Sequence, residues 1–109
     1  MTQKKPIHET DLYEPIREYL EELGYQVQGE VKGCDLTAVM GDDLIVVEMK
    51  TSFNLKLLSQ AVKRQRVTES VYVAIPYPKG GKRTAAWRDM CILLRRLEIG
   101  LITVDLAKD

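Results

Sequence analysis

Residues 35–50 read DLTAVMGDDLIVVEMK, and the fold turns on how that stretch is parsed. Gly41-Asp42-Asp43 carries turn chemistry. Asp35 to Met40 before it reads as one strand. Leu44-Ile45-Val46-Val47 after it opens another, apolar on both faces, as a strand at the centre of a sheet must be. A connection this short makes the two strands antiparallel. Folding the hairpin about its turn brings Asp35 opposite the region of Glu48 to Lys50. Residues two apart on a strand face the same way, so Glu48 and Lys50 project together from the end of the apolar run. The stretch thus delivers two carboxylates and one ammonium to one patch.

Upstream, Leu12, Ile16, Leu20 and Leu23 recur at helical spacing over about Asp11 to Leu23, and Gly24 is a C-terminal stop. Pro15 removes a donor inside that helix. Either its regular part starts near Pro15 or its first turn is irregular. Tyr25 to Val31 alternates apolar and polar residues, a strand exposed on one side, and Gly33 breaks it. Downstream, Asn54 caps a helix to about Arg66, with Leu55, Leu58 and Val62 marking its buried side. Val71 to Ile75 is a second central strand, ended by Pro76. A loop rich in Pro, Gly and Lys follows to Arg83. Thr84 caps a last helix through about Glu98, Gly100 stops it, and Leu101 to Val104 form a short final strand.

A strand that follows a helical crossover lies parallel to the one before the helix. The expected fold is therefore α/β, a mixed central sheet with an αβββαβ core followed by a further helix and short strand.

With 109 residues the chain is one domain by size. A formal net charge of +0 excludes a uniformly basic coat but not a local basic face. Cys34 and Cys91 lack CxxC spacing and His8 is the sole histidine, which argues against a Cys/His zinc site and for free thiols in a reducing cytoplasm. The polar, basic residues Met1 to Lys5 and the lack of a long apolar run predict neither a signal peptide nor a membrane span. The expected location is cytoplasmic, with no membrane partner.

Charged groups beside a central strand lose hydration, and two neighbouring carboxylates repel. A bound Mg²⁺ (or Mn²⁺) resolves both costs. It takes one or two carboxylates and keeps several waters. It polarises a phosphoryl oxygen and makes bound water more acidic. Lys50 is placed to orient that water or to stabilise negative charge in the transition state. The plainer reading is a salt bridge between Lys50 and Glu48 or Asp35. The cost of desolvated charge weighs against it.

Asp35, the hairpin and then Glu48-Met49-Lys50 resemble the D-x(n)-ExK signature of the PD-(D/E)XK phosphodiesterase superfamily, which includes many restriction endonucleases, Holliday-junction resolvases and repair nucleases. The αβββαβ order is similar to that family's core, so the resemblance spans nearly the whole chain. Glu9-Thr10-Asp11-Leu12-Tyr13, Gly29-Glu30-Val31 and Gly33-Cys34-Asp35 look closer still to uncharacterised bacterial proteins assigned to the superfamily. Cys34 stands where the signature often has Pro.

The resemblance implies a restriction-endonuclease-like core, with Asp35 and Glu48 as metal ligands, the Met49 carbonyl helping them and Lys50 as the catalytic lysine. It also implies an extra acid on the first helix. Glu9 and Glu14 are available, and the helical period favours Glu9. Glu30 could approach Asp35 through the Gly33 turn. Gln60 and Arg64 share one side of the second helix, where relatives often place a glutamine or a basic residue.

Lys63, Arg64 and Arg66 form a basic cluster suited to phosphates. Lys82 and Arg83 sit in a Gly-rich loop that lacks the spacing of a Walker motif. Tyr77 and Trp87 are candidates for stacking on bases, although core packing suits Trp87 better. The expected activity is metal-dependent hydrolysis of a nucleic-acid backbone, with DNA the first choice. A homodimer or an additional domain could complete the grip on a duplex, and the chain could be a fragment of a longer protein. The alternatives are a non-cutting nucleic-acid-binding module with the same fold and a protein-interaction domain.

Overall fold

A computed structural model describes residues 6–31, 34–78 and 84–106, without the side chains of Glu30, Val31 and Cys34. Lys82 and Arg83 lie outside the described residues.

Helix α1 (Thr10–Glu22) buries Leu12, Ile16 and Leu20, the stripe expected from the sequence. Leu23 instead ends the helix and is exposed. The first turn is irregular. The Asp11 and Leu12 amides donate to the His8 and Glu9 carbonyls three residues back. Asp11 Oδ2 in turn accepts from the His8 amide at 2.9 Å, half of a capping box. The helix therefore starts upstream of Pro15, whose missing donor falls on the exposed side. Gly24, at φ 103°, closes the other end. The amides of Gly24 and Tyr25 return to the carbonyls of Glu21 and Leu20, a Schellman closure.

Five strands follow the expected order. They are β1 (Gln26–Val31), β2 (Cys34–Met40), β3 (Asp43–Met49), β4 (Ser70–Pro76) and β5 (Gly100–Val104), with α2 (Leu55–Arg64) and α3 (Ala85–Arg96) between the last three. They form one sheet in the order β1-β2-β3-β4-β5. The first three pair antiparallel, and β4 and β5 add in parallel beyond β3. β3 is thus central, as its double-sided apolar run requires.

Strand alternation sorts the core into two layers. On one face Leu36, Ala38, Val47, Met49 and Ala74 pack with the α1 stripe. On the other Val71, Val73 and Ile75 pack with α2 and α3. Trp87 packs against this second layer.

Two local expectations are corrected. The buried side of α2 is Leu57, Leu58 and Ala61, whereas Leu55 is 79% exposed and Val62 is 40% exposed. The spacing 55, 58, 62 and the spacing 57, 58, 61 are both helical, and packing chose the second. Small Ala61, with no exposed surface, lets the helix lie close on the sheet, and this rotation leaves Arg64 within reach of β3.

The second correction concerns Gly100, which does not stop α3 but begins β5. Glu98, at φ 59°, takes the left-handed position, and the Glu98 and Ile99 amides close the helix on the Arg95 and Leu94 carbonyls. Glycine is needed two residues later, because a Cβ at Gly100 would stand 2.3 Å from the Tyr72 ring. Among the described residues no helix is long and apolar enough to cross a membrane.

Candidate active site at the end of the central strand

The β2–β3 register runs from Met40↔Asp43 to Leu36↔Val47. Continued one step, it sets Asp35 beside Glu48. Past the last ladder pair the join is carried by a side chain, since Asp35 Oδ2 accepts from the Met49 amide at 2.6 Å. This short bond to a charged acceptor fixes the carboxylate at the end of β3.

Glu48 lies opposite Val73 in the parallel register, which turns it toward the α2 layer. It is the one buried charged residue among the described residues, with 1% of its surface exposed. Arg64 reaches it from α2, with Nε 3.4 Å from Glu48 Oε2. Burial holds the Glu48 carboxyl above the usual range, and the negative charge of Asp35 pushes it further the same way. The Arg64 charge and a backbone hydrogen bond with Asp35 pull it down. Two carboxylates therefore share one low-dielectric corner, and the Arg64 guanidinium reaches Glu48 there from α2.

Lys50 follows directly on β3, and its amide extends the ladder to the Ala74 carbonyl at 3.1 Å. Its Nζ lies 3.4 Å from Glu9 Oε2 at the head of α1. Of the two acids offered by the first helix, Glu9 is the one beside the strand end. Glu14 is turned away and forms a surface pair with Arg17 at 2.6 Å. Gln60 is half-buried on α2, Lys63 is exposed there, and Arg66 is exposed just past its end. Arg64 points inward at a carboxylate, so the expected basic cluster is split. The Glu30 side chain is outside the described residues.

Thr10, Tyr13 and Gly29, to which the sequence alone assigned no role, also come to the site. A cleft of about 370 Å³ opens beside Asp35 and Met49, walled by Glu9, Thr10, Tyr13 and Gly29. Gly29 makes it possible, since a Cβ there would approach the Tyr13 ring and hydroxyl to 3.1 Å. The sequence holds a weak signal for this, a glycine inside an alternating strand, which marks a close approach.

Among the described residues no group of three or more His, Cys, Asp or Glu side chains is placed to hold a metal ion. Asp35 and Glu48 are two. Mg²⁺ commonly takes one or two carboxylates, keeps most of its shell as water and seldom uses an all-protein cage. Burial, and after it the Asp35 charge, raise the Glu48 carboxyl above its ordinary value.

No family model, no curated protein and no solved structure matches this chain.

Proposed function

We propose that this chain is a metal-dependent phosphodiesterase of the PD-(D/E)XK kind that hydrolyses the nucleic-acid backbone, DNA before RNA, in the cytoplasm. One observation carries the reading. A carboxylate with 1% exposure stands beside a second carboxylate at the end of the central strand, two residues before a lysine, at a cost that a purely structural role does not explain.

Asp35 and Glu48 would hold Mg²⁺ or Mn²⁺, with the Met49 carbonyl alongside. The metal would polarise a phosphoryl oxygen and make bound water more acidic. Lys50 would direct the attacking water or offset charge growing on the phosphate. Glu9, which walls the cleft, lies 3.4 Å from its Nζ. The Asp35–Met49 amide bond keeps the first ligand from drifting. Tyr13 and Thr10 bound the space in which the nucleotide beside the cut would lie. Lys63, exposed on α2, and Arg66, exposed just past its end, would meet flanking phosphates, and Lys82 and Arg83 would extend that contact. Each phosphate neutralised should steepen the salt dependence of binding by about 0.9 in log–log slope. A homodimer or an additional domain would supply the rest of the grip on a duplex.

A second reading, a non-cutting nucleic-acid-binding module, is favoured by the pairs Lys50–Glu9 and Glu48–Arg64, which give both charges a partner within the chain. Supercoiled plasmid incubated with Mn²⁺ separates the two. Nicking that is lost in Lys50→Ala and in Glu48→Gln is the expected result. Retarded but uncut plasmid would favour the module. Nicking that persists unchanged in Lys50→Ala would remove the hydrolytic assignment.

A further inference from the structure

The Lys50–Glu9 pair stands at the boundary between two clefts. Met49 and Glu9 wall the cleft that opens beside Asp35. Two residues away on each segment, Thr51 and Ile7 wall a second cleft of about 280 Å³. Lys50 joins Met49 to Thr51, and its Nζ lies 3.4 Å from Glu9 Oε2. The second cleft has a chemistry of its own. Phe53 and Tyr77 bring aromatic rings to it, and Thr51 and Ser52 bring hydroxyls. The backbone of Tyr77 is braced. Its amide donates to the Val104 carbonyl at 2.8 Å, and Pro76 and Pro78 on either side have φ locked by their own rings. Yet 41% of the tyrosine surface is exposed. A ring on a stiff segment that still faces solvent gives up apolar burial and offers a flat platform. The first cleft has an aromatic wall as well, Tyr13, which lies against Gly29. A nucleobase suits such spaces, since it has a π-face to stack on a ring and a polar edge to meet hydroxyls.

We propose that the two clefts take the bases on either side of the cut, so that the chain acts on an unpaired strand. This rests on the phosphodiesterase reading and narrows its substrate. The lysine at the boundary then meets the phosphate that joins the two nucleotides. Met49 and Thr51 are two residues apart, up to about 7 Å of extended chain. Neighbouring bases along one strand of a duplex are only about 3.4 Å apart. Bases lodged in separate clefts, with Lys50 between them, are therefore unstacked from each other. A duplex must be unpaired and unstacked to reach this arrangement, at a cost in free energy. A single strand has no pairing to lose, and it regains stacking on the rings of the protein.

The test compares an end-labelled oligothymidine with the same strand in a duplex, by fluorescence anisotropy on the full chain, with EDTA present so that nothing is cut. The single strand is expected to bind at least about tenfold more tightly. Tyr77→Leu should weaken single-strand binding about tenfold, since stacking on one base is lost. Tyr77→Phe keeps the ring and should stay within about threefold of the wild type. Melting curves check that each variant folds. On the wild type, a fluorescent aminopurine in place of alternate thymines should be quenched on binding, because it stacks on a ring. Duplex binding as tight as single-strand binding, or undiminished affinity in folded Tyr77→Leu, overturns the paired clefts and leaves the phosphodiesterase reading standing. If Tyr77→Leu does not fold, aminopurine that stays bright on the wild type has the same consequence. Binding of neither form overturns the clefts, and together with an uncut plasmid it overturns the nucleic-acid reading too.

Discussion

Replacing Arg64 with glutamine strands Glu48 in the sheet, and the cost can be worked from the structure. Breaking a fully buried ion pair by deleting one partner costs about 3–5 kcal/mol. Here the carboxylate is buried, but the arginine side chain is 26% exposed and the contact is long at 3.4 Å. Roughly half the full figure, about 2 kcal/mol, is expected. For a domain of this size that lowers the melting temperature by about 8–15 °C.

Glu48→Gln removes the buried charge and nearly keeps its shape, so it should be neutral or stabilising at pH 7. The double variant should lie near Glu48→Gln alone, giving a coupling of about 2 kcal/mol in the cycle. The pH dependence follows from the sign of the shift. Glu48 is raised from 4.5 by burial and by Asp35, so the folded state holds its proton more firmly than the unfolded chain. Stability from this group is full below pH 4.5 and is lost as pH rises through the folded value. The Arg64→Gln defect should therefore shrink as pH falls toward 4.5. Thermal melts by circular dichroism from pH 4 to 8 measure all of this. If the single variants are additive, or the defect does not change with pH, the buried pair is not the source of the effect.

Two further predictions concern the scaffold. Leu57→Ala should cost about 2–4 kcal/mol, because the side chain is fully buried. Leu55→Ala, at 79% exposure, should stay within about 0.5 kcal/mol of the wild type. Denaturant titration decides, and the opposite order would mean that α2 is rotated from the position described. Gly100→Ala should cost about 1–3 kcal/mol, since its Cβ would meet the Tyr72 ring. Adding Tyr72→Leu should recover part of that loss, and a melt of Gly100→Ala unchanged from the wild type would show that the ring moves freely.

The hairpin of residues 35–50 was legible because it depends on period and turn chemistry alone. A double-sided apolar run has few places to go but the middle of a sheet, and Gly41 at φ 61° sets the turn from which the register follows. The caps at Asn54 and Thr84, each accepting from an amide three residues on, were legible for the same local reason. The sequence by itself thus determined the order of elements and which carboxylates share a strand end.

Whatever depended on the meeting of distant surfaces was decided only in three dimensions. The face α2 presents was settled by how closely Ala61 could approach β3 and β4. Glycine fell at position 100 because Tyr72 fills the space beside it, leaving Glu98 to turn the helix end. The partners of Glu48 and Lys50, Arg64 sixteen residues ahead and Glu9 at the head of α1, follow from layer packing. A long charged side chain seeks its counter-charge through space, and spacing along the chain carries no record of that distance.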